Sequence, residues 1–445
     1  MQEHRQTAGF SGSMAAHCLL LFAGMCGGVW INKYFFVVTA GFTLLTSLIC
    51  HIDAVFWHLL FSVSFSVIYK LEPTETSLFA YVMIVTGAVL IFRTGKIRSS
   101  RLVAVLLMTL YLAVGMGGNY TTVVKMTVGA LLLYIFVTNV RPDSFKNHIL
   151  AYSLGMLGSS FIGTFLTSLP QLNEYFETVH TIYNGSQLAY RFTGLNYDPN
   201  YYAVSAVFAI LLCFVLVINR QGNRLFGMAM FLSLLVFGFQ SYSKTFLLAA
   251  VVTGVIFAVY MLTTVRMIIV LALSGAAVGG VAMWLQNKGY MGLMLSRLSA
   301  GDISTGRFEI WRTYLAHLDG SWRTLLFGDG LQAGYLPVGG PHNTYIESVY
   351  FVGIVGSLLF LGMLILLFST RVYNRQRCII NYLAVLIFMV MMGVLSCFTI
   401  NEFFFYCMLM WMGLNIPISG RKKPKGADAS VQHNSSGIQS GKIPA

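Results

Sequence analysis

Long apolar stretches, one after another along most of the chain, constrain this sequence more than any other feature. A run such as "AVSAVFAILLCFVLVI", residues 203–218, carries neither a charge nor a polar/apolar alternation. A bilayer core takes about 20 such residues per helix. In lipid, only helices and closed barrels satisfy every backbone group, and barrel strands alternate. The sequence therefore predicts an all-α, polytopic transmembrane helical bundle. Composition agrees: 57% of residues are apolar and 10% charged, against roughly a quarter charged in soluble domains.

Fourteen spans are predicted, near 14–31, 34–51, 53–69, 77–92, 102–117, 121–140, 148–169, 200–218, 225–240, 245–262, 267–286, 346–368, 379–397 and 401–417. Only "HID" separates the second from the third, which leaves a re-entrant pair as the alternative there. The bundle with its outer loops covers 1–417, and the polar tail 418–445 is expected to be disordered and cytoplasmic. An even number of crossings puts "RTGKIRSSR", "RPDSFKN", "NRQGNR", "TRVYNRQR" and "RKKPK" on one side, the positive-inside pattern, with both termini in the cytoplasm. The formal charge of +13 thus reports orientation. A nucleic-acid reading would need a basic patch on a soluble face. The seven cysteines show no Cys-x-x-Cys or Cys/His ligand spacing and read as small packing residues.

Two connections are long, 170–199 and 287–345, and both fall on the extracytoplasmic side in this topology. Long loops in compact bundles are commonly functional. The first ends in "RFTGLNYDPNYYA", where Asp198 before Pro199 marks a helix start: the carboxylate caps free N–H groups and proline tolerates the first helical position. A cap needs no guanidinium, so Arg191 beside Asn196 and Asn200 suggests an anion at that helix end. The second loop carries "STGRFEIWRTYLAHL", predicted as an amphipathic helix capped by Ser304 or Thr305, with Phe308, Trp311, Leu315 and Leu318 on one face against the membrane surface. Arg307 in its first turn opposes the helix dipole, a placement that an incoming anion would explain. "FGDGL" supplies turn glycines, and "PHNTYIESVYFVGIVG" sets His342 at the mouth of a span with Asn343 and Glu347 a turn apart. Histidine is the usual proton-transfer group near neutral pH. With Lys244 in "SYSKT", the cations Arg191, Lys244, Arg307 and His342 come from four separate places yet share one side.

At these residues the chain resembles the O-antigen ligase and O-antigen polymerase superfamily of bacterial membrane glycosyltransferases. The likeness rests on "RFTGLNYDPNYYA", "TGRFEIW", "FGDGL" and "HNTYIESVYFVGIVG" in that order, from about Arg191 to Gly356. The family carries arginine where this chain has Lys244. The resemblance implies a GT-C type fold in the bacterial cytoplasmic (inner) membrane. The implied substrates are an undecaprenyl-diphosphate-linked saccharide donor and a glycan or glycolipid acceptor, with no metal ion and no other cofactor. It implies Arg191, Arg307 and His342 as the catalytic set, with Lys244, Asp198, Asn200, Asn343, Tyr345 and Glu347 as substrate-binding residues. For the last group, capping and interfacial packing remain the competing reading. The residues do not separate a polymerase from a ligase. A transporter or flippase of lipid-linked saccharide is the alternative; such proteins place ionisable groups near mid-membrane, where this sequence offers little beyond Lys125.

Overall fold

In a computed structural model, the described residues are 12–94, 99–115, 120–165, 187–218, 224–261, 306–369, 379–400 and 402–416, with 181–184 and isolated positions between 168 and 175 and between 275 and 292. Most of the eleventh expected span, residues 293–305 and the tail lie outside them, as do several of the basic loops.

The architecture is helical. In order come α1 (Gly12–Trp30), α2 (Tyr34–Ile49), α3 (Ile52–Ser62), α4 (Leu78–Arg93), α5 (Ser99–Gly115), α6 (Tyr120–Asn139) and α7 (Phe145–Gly163). A two-stranded antiparallel hairpin, β1 (Thr181–Asn184) and β2 (Gln187–Tyr190), precedes α8 (Pro199–Ile218), α9 (Arg224–Gln240) and α10 (Lys244–Met261). Then follow α11 (Arg307–Asp319), α12 (Trp322–Phe327), α13 (Thr344–Phe368), α14 (Ile379–Val394) and α15 (Phe403–Asn415). Four of these segments, Gly12–Trp30, Tyr120–Asn139, Pro199–Val217 and Thr344–Phe368, are long and apolar enough to cross a bilayer, and the other apolar helices are shorter. The third expected span is cut short: α3 gives way to a single 3-10 turn at Val63–Phe65. The carbonyls freed there, on Ser66 and Tyr69, accept from the Ser77 hydroxyl at 2.7 and 3.1 Å.

Helix ends meet in two groups. At one end, the Thr344 hydroxyl that opens α13 donates to the Leu395 carbonyl beyond α14, Phe192 before α8 donates to Gln240 closing α9, and the Ser66 hydroxyl donates to Glu402 before α15. At the other, the Arg93 guanidinium of α4 donates to the carbonyls of Ser47 and Cys50, Arg101 of α5 to Leu366 of α13, and Asn381 of α14 to Gly413 of α15. Consecutive helices therefore run up and down, and the segments 191–198, 241–243 and 339–343 share one end. The axis of the packing is α8, in which every residue from Tyr202 to Leu216 is buried among α7, α9, α10 and α14.

One helix is broken inside. At Gly353 in α13, φ is 68° and ψ −180°, and the end of α12 fits into the gap. A break in apolar surroundings strands carbonyls that lipid cannot satisfy. Here the Tyr350 carbonyl accepts from Asp329 N–H at 2.9 Å, Phe351 from Gly330 N–H at 3.0 Å, and Val352 from the Tyr111 hydroxyl of α5 at 2.7 Å. "FGDGL" is thus more than a turn: its backbone replaces the missing rungs of α13. A side chain at Gly353 would overlap the Leu326 carbonyl and Phe327 N, and one at Gly328 the Phe351 carbonyl. Gly353→Ala is expected to destabilise the protein by about 2–4 kcal/mol through overlap and forced positive φ. Gly362→Ala, on the same helix with open space around it, should be near neutral. Thermal unfolding of both variants in detergent or nanodiscs reads the difference.

Candidate functional site

The site is assembled around the first turn of α8. Asp198 turns its carboxylate onto the Asn200 N–H at 2.6 Å, capping the helix where Pro199 opens it. The Asn200 carboxamide oxygen then accepts from two directions, from Arg191 Nη2 at 3.3 Å and from the Ser243 hydroxyl at 3.0 Å. Arg191 Nε also donates to the Ser241 carbonyl at 3.1 Å. Asn200 thereby ties the segment before α8 to the turn between α9 and α10, which leads directly into the half-buried Lys244.

The second half comes from the long outer loop. α11 opens at Arg307 after Gly306, whose φ is 79° and which offers no side-chain cap; the expected caps Ser304 and Thr305 lie outside the described residues. Trp311 Nε1 donates to the Pro341 carbonyl at 2.7 Å, and the Tyr314 hydroxyl to Gly339 at 2.9 Å. These bonds hold residues 339–341 against α11 and bring His342 within the field of Arg307. The expected apolar face of α11 is divided. Leu318 is buried with Tyr314, whereas Phe308 and Leu315 are 67% and 55% exposed. The inward face is set by Tyr314, whose hydroxyl needs the partners that the 336–339 turn supplies.

Electrostatics joins the halves. Burial pushes the His342 imidazole below its ordinary value; the Arg307 charge acts in the same direction and the Asp198 carboxylate against it. Burial also lowers Arg307, while Asp198 and Tyr201 hold it up; guanidinium stays charged regardless. Asp198, Arg307 and His342 thus act on one another as a cluster, linked through Asn200 to Arg191. The imidazole is half-buried, and among the described residues no hydrogen bond engages its ring nitrogens. A neutral ring at pH 7 can accept a proton, and the neighbouring guanidinium groups can hold an anion.

The backbone marks the same place. Among the described residues, the non-glycine positions with positive φ are Tyr242 at 49° and His342 at 46°. One lies in the turn that receives Arg191 and the other is the histidine itself. Left-handed backbone at bulky residues costs about 1–3 kcal/mol and persists where surrounding contacts impose it.

Other residues expected to bind substrate have their polar atoms engaged elsewhere. Asn343 Oδ1 caps α13, accepting from the N–H groups of Tyr345 and Ile346 at 3.0 and 3.1 Å. The Tyr345 hydroxyl reaches the Met389 carbonyl of α14 at 3.0 Å. Glu347 is fully buried and accepts from the Tyr335 hydroxyl at 2.8 Å, Phe398 N–H at 2.9 Å and the Thr399 hydroxyl at 3.4 Å. Their observed contacts fasten the loop, α13 and the 397–399 turn together. Sequence reasoning passed over Ser241, Tyr242 and Ser243, whose only signal was adjacency to Lys244. It also missed Tyr314 and Trp311 as the anchors of the 339–341 segment.

No protein-family model matches the chain, and no curated protein is recognisably similar to it.

The shifts make a prediction with a definite sign. His342 should titrate below the ordinary histidine value of about 6.5. Arg307→Gln removes a charge that disfavours imidazolium and should raise that pKa, whereas Asp198→Asn should lower it further. NMR titration of histidine-labelled protein, with His342→Gln to assign the resonance, checks both directions.

Proposed function

We propose that this chain is a membrane glycosyltransferase akin to the O-antigen ligase and polymerase superfamily, moving a saccharide from an undecaprenyl-diphosphate carrier to a sugar hydroxyl. The reading includes the finer topology: about fourteen spans in a GT-C type bundle of the bacterial inner membrane, both termini cytoplasmic and the site extracytoplasmic. What supports it most is the electrostatic cluster of Asp198, Arg307 and His342 at the end of the bundle where Arg191 bonds Asn200. Residues distant in sequence meet there, and they are the types that diphosphate transfer requires.

In this mechanism Arg191 and Arg307, with Lys244 as a single-pronged contact, grip the donor diphosphate and balance the charge that grows as it leaves. His342, kept neutral by burial and by Arg307, takes the proton from the acceptor hydroxyl. The hydroxyl oxygen attacks the anomeric carbon from the face opposite the diphosphate. The bond from that carbon to the diphosphate oxygen breaks, and its electron pair leaves with undecaprenyl diphosphate, so the configuration inverts. Asp198 caps α8, holds Arg307 charged and partly offsets the lowering of the His342 pKa. Glu347, through Tyr335 and Thr399, holds the start of α13 next to His342.

A transporter of the same lipid-linked saccharide is the second reading, and one observation favours it. Inside the bundle His17 Nδ1 lies 2.6 Å from His58 Nε2, and His58 Nδ1 lies 3.2 Å from the Thr43 hydroxyl, with His58 fully enclosed. Ionisable groups enclosed at that depth commonly serve translocation.

Purified protein given the lipid-linked repeat unit alone should yield a ladder of lengthened products if it polymerises, and a single transfer to an added acceptor if it ligates. Arg307→Ala and His342→Ala are each expected to lower transfer about 10²–10³-fold. If both variants retain full transfer, the mechanism fails. If wild type transfers nothing yet moves a fluorescent lipid-linked saccharide across proteoliposomes, with His58→Phe abolishing that movement, the transporter reading replaces it.

A further inference from the structure

Alongside the cation cluster, a cleft of about 330 Å³ opens between the 66–77 segment, the start of α6 and the 399–402 turn. That volume lies at the lower end for small-ligand pockets. Tyr197, the residue before Asp198, exposes its ring there. Lys70 holds that ring in place: its ammonium lies 5.7 Å from the ring centroid and donates to the Tyr197 hydroxyl at 3.0 Å and the Pro73 carbonyl at 3.1 Å. Across the cleft, Glu402 accepts from the Ser66 hydroxyl at 2.6 Å. Thr399, also in the lining, donates to Glu347 and so connects the cleft to the helix that begins beside His342.

Lys125 is the least expected member. It is half-buried on the otherwise uncharged helix α6, faces the cleft, and lies within electrostatic reach of Glu402 and Lys70. Among the described residues no hydrogen bond or ion pair engages it. Removing an ammonium group from water without a partner is unfavourable, so its position makes sense if something polar enters. The charges also distinguish this cleft from the diphosphate clamp. Lys70 and Lys125 are matched by Glu75 and Glu402, whereas an anion site would present cations in excess.

We propose that this cleft is the acceptor-saccharide subsite. The inference rests on the transfer reading above and adds where the second sugar sits. A sugar ring offers an apolar face ringed by hydroxyls that both donate and accept. The cleft offers the Tyr197 ring for that face, the Lys125 ammonium to donate, and the Glu402 carboxylate to accept. Since Tyr197 directly precedes Asp198, a sugar stacked on it adjoins the cluster containing His342, where its hydroxyl must be activated.

The test uses full-length protein in nanodiscs and two probes on the same samples. The first is a set of soluble oligosaccharides released by mild acid from the envelope of cells that make this protein. The second is undecaprenyl diphosphate without sugar. Lys125→Ala and Tyr197→Ala are expected to weaken oligosaccharide binding about tenfold and to leave undecaprenyl diphosphate binding unchanged. Arg307→Ala should do the reverse. Lys125→Gln and Tyr197→Phe, which keep a donor and a ring respectively, should recover part of the affinity and serve with thermal unfolding as folding controls. Oligosaccharide binding that is absent in wild type, or within twofold of wild type in Lys125→Ala and Tyr197→Ala, overturns the subsite. Undecaprenyl diphosphate binding that ignores Arg307→Ala overturns the transfer reading instead, so the two failures are distinguishable.

Discussion

At the start of α8, backbone N–H groups lead into a helix whose next fifteen residues, Tyr202 to Leu216, are all buried. Polar groups at such a boundary must be satisfied by the protein. Asp198 satisfies one of them, and the arrangement spreads outward from there. Asn200 gathers Arg191 and Ser243, and Asp198 faces Arg307 and His342 across the loop layer. A capping requirement has thus become a meeting point for cations. The same carboxylate that opens a helix moderates the charge of the groups around it.

Much of this was legible in the residues. Among the described residues most helices coincide with apolar runs, the third expected span being cut short, and the Asp198–Pro199 start, the first-turn position of Arg307 and the placing of His342 just before α13 all occur as read. These features are local: each follows from a short window and the rules for helix ends. Features that depend on distant partners were not legible. Nothing within "YFVGIVG" announces that Gly353 interrupts a helix, because the compensating N–H groups come from Asp329 and Gly330 and a hydroxyl from Tyr111. The inward turn of Tyr314 on α11 was not legible for the same reason. The sequence marks Phe308 and Leu315 for the membrane surface, and the inward place of Tyr314 depends on the carbonyl at Gly339, which accepts its hydroxyl. Glu347 reads in sequence either as substrate-binding or as a packing residue, and what engages it lies far off, at Tyr335, Phe398 and Thr399.

The two left-handed residues express a related principle. Neither Tyr242 nor His342 has an intrinsic reason to adopt positive φ, and sequence gives no hint of it. In each case neighbouring contacts fix the chain on both sides. Arg191 and Asn200 hold Ser241 and Ser243 around Tyr242, while Trp311 holds Pro341 and Asn343 caps α13 around His342. Local conformational cost is thereby exchanged for a fixed direction of the imidazole. Directional control of that kind is worth more to a proton-transferring group than to a packing residue.

The clasp between α12 and the interrupted α13 also sets how the molecule can move. Arg307 rides on α11, which is bonded to the 339–341 segment, and the chain from α12 onward is laced into α13 by main-chain rungs. Arg307 and His342 therefore belong to a single stiff block, whereas Arg191 is bonded to Asn200 and Ser241 on the other side. Relative motion of the two halves of the site would then fall along the seam between that block and the wall built by α8 and α10. A hinge there would widen the entrance while keeping the guanidinium and imidazole in register with each other.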